Sequence, residues 1–319
     1  MFTAGDETIP LYPRRRLVGS VFGGFTSVRR GEGSDIASSR PYEPGDHVHT
    51  IDWKSSARLS AARGSDEFIV RERHSEEMAR VVVVADRRPE MSLYPSDLPW
   101  LHKPAAVAAA TDLIVARALN QRGLVGYLDL ASHDGEGAAG TIFWRPPRSQ
   151  VGVWQGDLRE RARGFLAGGF DAPADNLDQA LTFLSTTRGA LPVGSMVFVL
   201  SDFTGPLTAG PWARAIEHGW DVVPVIVQDP VWEQSFPEIT GVLTPLADPL
   251  GGRLRYVRLD AQEVEERRRA NEARLASFQT DFLGLGLDSV LISQSDRDSV
   301  RTAFLDWADG RLVLRGRRW

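Results

Sequence analysis

The densest apolar runs in the chain are short and end on aspartate. Residues 80–86 read Arg-Val-Val-Val-Val-Ala-Asp, and 196–202 read Met-Val-Phe-Val-Leu-Ser-Asp. Runs without polar alternation belong to strands buried on both faces, as in a parallel sheet. Further strands are expected at 124–131, 141–144, 221–227 and 289–293. Between them lie helical stretches: an alanine-rich one at 103–121 closed by Gly123, then 151–166, 176–188, 211–218, a charged one at 261–283, and 297–308. Strands alternating with helices predict an α/β fold with a doubly wound, mostly parallel, Rossmann-type sheet. Ligands on such sheets bind outside the carboxyl ends of the strands, where Asp86 and Asp202 fall.

The chain before residue 77 follows another pattern. Residues 1–18 are polar and read as a loosely held arm, 17–28 as a hairpin or irregular strand, and 67–73 as a strand. The stretch 29–66 is too rich in Gly, Ser, Asp and Arg to form a core of its own. The organisation expected is therefore an N-terminal, mainly β or irregular extension (1–76), the α/β domain (77–310) and a basic tail (311–319). That tail either docks on an acidic surface or frays. Residues 228–255 form a Pro-rich excursion, and 133–140 a flexible connection.

Composition removes several function classes. The net charge of -5 argues against a general nucleic-acid binder. Cysteine is absent, which excludes disulfides, thiolate metal sites and cysteine nucleophiles. No signal-peptide pattern and no apolar run of membrane-spanning length occurs, so the cytoplasm and no membrane span are expected. Nearly all positive charge is arginine, the lysines being Lys54 and Lys103. The charged helix carries i,i+4 pairs such as Glu263–Arg267 and Glu265–Arg269, the mark of a solvated face. No nucleophile elbow, phosphate loop, dinucleotide fingerprint or His-Glu-x-x-His motif is found.

The stretch Arg40-Pro-Tyr42-Glu-Pro44-Gly45-Asp46, continued by Ile51-Asp52-Trp53 and Ala57-Arg58, resembles the signature of the DUF58 family. That pattern runs Arg-x-Tyr-x-Pro-Gly-Asp-Asp-x-Arg-x-Ile-Asp-Trp, with Ala-Arg shortly after. The resemblance continues more weakly through Pro146-Pro147-Arg148 and Ser201-Asp202-Phe203. It implies a von Willebrand factor A-like domain after the signature. It also implies partnership with MoxR-type AAA+ ATPases in the assembly or maturation of other proteins.

Related A-domains hold Mg²⁺ with Asp-x-Ser-x-Ser after the first strand, a Thr from a second loop and an Asp from a third. Here Asp86 stands at the first position, Arg88 and Glu90 replace the serines, Asp175 falls at the Thr position and Asp202 in the third loop. Two readings follow. Arg88 neutralises the carboxylates where the ion would sit, through charge-assisted hydrogen bonds, and the site is degenerate. Alternatively Asp86, Asp175 and Asp202, with Glu90, hold Mg or Ca and Arg88 turns away. In the signature loop, Arg40, Asp46, Asp52 and Arg58 are expected to form a buried ion network anchored by Tyr42 and Trp53 around the Pro44-Gly45 turn, the alternative being that the loop is a docking surface or catalytic patch. His47-x-His49 offers a weaker Zn²⁺ alternative. The function expected is a non-enzymatic protein-interaction module without cofactor, docking through an acidic, arginine-gated edge. The alternatives are a metal-dependent hydrolase or Mg-dependent adhesion.

Overall fold

The computed structural model describes residues 9–14, 36–43, 48–64, 68–73, 79–93, 101–132, 140–148, 169–205, 207–247 and 254–316. The expected hairpin at 17–28, the helix at 151–166 and most of the 133–140 connection lie outside these residues. The chain divides into two compact units, Pro13–Ala79 and a larger one formed by Met1–Tyr12 with Arg80–Trp319.

In the smaller unit, strand β1 (Ile36–Pro41) pairs antiparallel with β2 (Ile69–Arg73), and helix α1 (Trp53–Arg63) lies between them in sequence. The polar pattern gave no helix here, because among its residues only Ser56 is buried. End chemistry makes it instead. Asp52 accepts the Ser55 N–H at 3.2 Å as N-cap, and Gly64 closes the helix with φ 69°. The Ser56 hydroxyl ties the helix to β2 by accepting the Ile69 N–H at 2.8 Å.

The larger unit is a six-stranded sheet built from β3 (Arg80–Ala85), β4 (Leu124–Asp129), β5 (Phe143–Arg148), β6 (Met196–Ser201), β7 (Asp221–Val227) and β10 (Val290–Ile292). Its order is β10-β7-β6-β3-β4-β5, and every pairing is parallel except β4 with β5. Side chains alternate between the two faces. Val82, Val84, Val197 and Val199 meet α3 (Asn176–Thr186), α4 (Ala209–Glu217) and the end of α5 (Ala261–Gly284) through Leu181, Trp212 and Phe282. On the other face Phe198 packs edge-on against Phe304 and Trp307 of α6 (Arg297–Gly316), which lies beside α2 (Lys103–Asn120). Burial on both faces explains why β3 and β6 need no polar position. It also makes the doubly wound, mostly parallel sheet a property of the chain.

Three expectations change here. The Pro-rich excursion carries a strand, β8 (Val242–Ala247), paired antiparallel with β9 (Leu254–Leu259), which runs on past its end. The last helix runs on to Gly316, so the stretch read as a basic tail begins inside it. Arg311 is buried there, forked across Asp221 at 2.8 and 2.9 Å, paired with Asp288, and 4.3 Å from the Trp307 ring centroid. Its guanidinium also donates to the Tyr12 carbonyl at 2.6 Å, and Ile9 and Leu11 are buried. Residues 9–12 of the supposed loose arm are therefore fixed to the sheet unit.

Candidate functional site

The carboxyl edges of β3 and β6 bring Asp86 and Asp202 together, and neither is exposed. Asp202 is set by a tight turn in which Phe203 adopts φ 55°, a left-handed conformation costly for an aromatic residue. The surrounding core over-determines it: the Phe203 ring is buried against Trp212 and Phe282. The Ser201 hydroxyl accepts the Phe203 N–H at 2.9 Å and donates to Asp86 Oδ2 at 2.6 Å.

The Arg88 guanidinium lies between the two carboxylates. Nη2 donates to Asp86 Oδ2 at 2.6 Å and to Asp202 Oδ1 at 2.8 Å, while Nε reaches Asp86 at 2.9 and 3.1 Å. Asp86 Oδ1 also accepts from the Arg88 N–H at 2.9 Å and from Asn176 Nδ2 at 3.0 Å. Asp202 Oδ1 takes both the N–H and the hydroxyl of Thr204 at 2.9 Å. Its Oδ2 takes the ammonium of Lys103 at 2.8 Å, and that ammonium continues to Glu233 Oε1 at 2.5 Å. The result is a buried chain of alternating charge: Asp86, Arg88, Asp202, Lys103, Glu233.

The residues present do not fit a divalent ion. Its oxygen ligands are already saturated by hydrogen bonds, and a guanidinium stands between the two aspartates, where repulsion would oppose a dication. Among the described residues no group of three metal-ligating side chains is assembled.

Asp175 is corrected: it is exposed, at the N-cap of α3, where it accepts from Gln179 at 2.8 Å. It lines an open groove of about 730 Å³ between α3 and α4, with Asp178, Thr182 and Arg214. The neighbouring Asn176 faces Asp86 instead, because the helix begins there and points the next side chain inward. Glu90 stays near the cluster, but its Oε2 is buried without a hydrogen-bond partner. Because Asp86, Arg88 and Asp202 are buried, they do not form the acidic docking edge that the sequence suggested.

Sequence reasoning missed Lys103, Glu233, Asn176 and Gly205. Lys103 had one signal, its rarity in a chain whose cations are nearly all arginine; Asn176 lay one residue from the position assigned to Asp175, and Glu233 and Gly205 had none. A Cβ at Gly205 would stand 1.9 Å from Arg88 Nη1, so this glycine leaves room for the guanidinium. Gly205→Ala is expected to cost about 1–3 kcal/mol by urea denaturation, through overpacking. In an Arg88→Ala background the same change should cost far less. Additive losses would show that the two positions do not share one space.

Burial alone would raise the Asp202 pKa, but Lys103 and then Arg88 overcome it and hold the carboxyl well below the usual range. Burial likewise opposes the charge on Arg88 and on Lys103, and their carboxylate partners outweigh it, raising both. Glu233 goes the other way: burial, helped by Asp202, raises it against the pull of Lys103. One ammonium serves two carboxyls, at 2.8 Å from Asp202 and 2.5 Å from Glu233. The signs therefore differ. The depressed Asp202 gives stability that is present above the ordinary carboxylate value and lost as pH falls through its lowered one. The raised Glu233 gives stability that is lost as pH rises from 4.5 through its folded value. Glu233→Gln should remove that alkaline-side decline, giving a flatter profile of urea midpoint against pH above 4.5. An unchanged profile would assign the decline to another group.

Signature residues are placed differently from expectation. Asp52 is buried as a helix cap, but Arg58 is exposed, so a buried Asp–Arg network including Arg58 does not exist. Tyr42 and Trp53 are also exposed and are not core anchors. Pro44, Gly45, Asp46, His47 and the side chains of Arg40 and His49 lie outside what is described.

Strand order and ion network define an α/β protein with a mostly parallel sheet and a buried, internally paired charge cluster at its strand ends. The chain belongs to DUF58, the family described as "protein of unknown function DUF58", whose model matches residues 38–277. It is similar to uncharacterized proteins of Mycobacterium bovis and Mycobacterium tuberculosis, each 26% identical over 298 residues, covering 92% of this chain and 85% of theirs. Among solved structures it is similar to the conserved hypothetical protein BatB from Bacteroides thetaiotaomicron, with 15% identity, TM-score 0.40, and coverage of 73% of this chain and 98% of that one. An aerotolerance-related membrane protein from Bacteroides fragilis gives 13% identity, TM-score 0.41, and coverage of 72% and 99%. Among the described residues no helix is long and apolar enough to cross a membrane.

Proposed function

We propose that this chain is a non-enzymatic, cytoplasmic protein-interaction module on a von Willebrand factor A-like fold with a degenerate metal site, serving as accessory partner of a MoxR-type AAA+ ATPase in the assembly or maturation of other proteins. The observation that carries the reading is Arg88, whose guanidinium joins Asp86 to Asp202 where an A-domain would use an ion. A buried carboxylate already bonded to arginine or lysine is a poor general base and a poor metal ligand. The cluster therefore acts as a lock on the strand-end loops, and a partner reads their outer surfaces. The ATPase partnership and the client role come from the family resemblance.

Two measurements test this. Calorimetric titration of Mg²⁺, Mn²⁺ and Ca²⁺ into the full chain should release no binding heat. Size-exclusion chromatography with a MoxR-type ATPase from the same organism should give co-elution. Tight binding of a divalent ion would bring forward metal-dependent adhesion or hydrolysis, and separate elution would remove the ATPase from the reading.

A further inference from the structure

The smaller unit carries a surface that the buried cluster leaves unexplained. Tyr42, Trp53 and Phe68 are 37%, 58% and 43% exposed. They are not isolated: Tyr42 and Trp53 meet the Phe68 ring edge-on, with centroids 6.4 and 5.7 Å away. Backbone bonds hold all three in place. The Tyr42 N–H donates to the Phe68 carbonyl and the Asp52 N–H to the Ile69 carbonyl, both at 2.8 Å. Trp53 is the first residue of α1, directly after the buried cap Asp52. An aromatic surface fixed in this way loses little conformational freedom on binding.

Helix α1 continues the surface. Trp53, Ala57 and Ala61 recur at i, i+4 and i+8, all exposed, so a shallow apolar shelf of small side chains extends from the indole. Lys54 and Arg58, also exposed and four apart, border it. No acidic residue occurs in the helix, and among the described residues no ion pair engages Lys54 or Arg58. A helix face with a large aromatic, small neighbours and free cations is not what a solvated face requires, since exposed tryptophan stays in water at a cost.

Aromatic surface asks for apolar cover, and the cations ask for carboxylates. Tryptophan, tyrosine and arginine are the side chains that dominate protein–protein binding energies. Nucleic acid fits poorly, given the chain's net charge of -5 and the small number of free cations here. Recognition of an anionic membrane takes a cluster of about four to eight cations. We propose that the face formed by Tyr42, Trp53, Phe68, Lys54 and Arg58 docks an acidic segment of a protein partner, with a bulky apolar residue of that segment covering Trp53. The proposal builds on the reading of the chain as an interaction module, and it is independent of the metal question at Asp86.

The test is fluorescence anisotropy with the full chain and a short fluorescein-labelled peptide of glutamates interrupted by one leucine and one phenylalanine. Two controls replace every glutamate by glutamine or by lysine. The wild type should bind the glutamate peptide about tenfold more tightly than the glutamine one. Trp53→Ala should weaken that binding about tenfold, as loss of a central aromatic anchor does. The double change Lys54→Glu with Arg58→Glu should do the same and gain binding of the lysine peptide. Because these side chains are exposed, circular dichroism and melting should be unchanged in the variants. No binding of the glutamate peptide, or equal binding by wild type and both variants, overturns the proposal. So does Trp53-dependent binding of a single-stranded oligonucleotide or of phosphatidylserine vesicles without peptide binding, which would assign the face to nucleic acid or membrane. The peptide titration uses no ATPase, so its failure is distinguishable from failure to co-elute with one.

Discussion

Arg88→Ala is expected to destabilise the larger unit by about 3–5 kcal/mol, the usual consequence of removing one partner from a buried ion pair. The guanidinium is shared: Asp86 and Asp202 would both lose it, and each would remain buried. Lys103 would still neutralise Asp202, leaving Asp86 with the Ser201 hydroxyl and Asn176 amide. Urea denaturation of the variant measures the loss. A value within about 1 kcal/mol of wild type, as for an ordinary surface pair, would mean that Arg88 is not the lock described above. Arg88→Ser adds a second readout, because it removes the positive charge and restores a hydroxyl. This variant should gain a Mg²⁺-dependent rise in stability that the wild type lacks, through preferential binding of the ion to the folded state.

Lys103→Ala is expected to cost a similar amount, about 3–5 kcal/mol, but with a different dependence on pH. Lys103 is wholly buried and bridges Asp202 to Glu233. Without it Asp202 keeps Arg88, whereas the Glu233 carboxyl, already raised by burial, loses the cation that opposed the rise. Protonating Glu233 then becomes the way to relieve an unpaired buried charge. Relative to wild type the variant should therefore recover stability as pH is lowered from about 8 toward about 5, and lose it again on the return. Changing Glu233 to leucine in the same protein should restore much of the loss, because a paired removal leaves no orphan charge. Denaturation midpoints of single and double variants at both pH values decide this. A deficit indifferent to pH and to Glu233 would mean that Lys103 contributes by packing alone.

These expectations share a consequence for function. A strand-end cluster in which every carboxyl is paired with Arg88 or Lys103 fixes the loops after β3 and β6, including the strained Phe203 turn, without needing an ion from solution. Binding through those loops would then be insensitive to divalent ions, which separates this arrangement from metal-bridged adhesion. The exposed aromatic face is built from residues of the smaller unit, none of which belongs to the lock.

Much of the sheet was legible in the sequence because β3, β6 and β7 are buried on both faces, and that burial writes itself as uninterrupted apolar runs. Asp86, Arg88 and Asp202 were legible as a group, since two runs ending in aspartate place their carboxylates at one edge. Helix α1 was not, because capping by Asp52 and Gly64 forms it rather than an apolar stripe. The β8–β9 pair was obscured by Pro245 within β8. Asp175 was one residue out: register identifies a loop, but the turn into a helix decides which of two adjacent side chains points inward. Lys103 and Glu233 are 130 positions apart and meet only through chain packing. The sequence by itself thus determined the α/β class, the family and the two strand-end aspartates, all of which are local patterns of burial or motif. Only the tertiary structure decided that these aspartates are filled by Arg88 and Lys103 and hidden, while Trp53 and Tyr42 face outward. Pairing and exposure are relations between distant segments, and no local pattern encodes them.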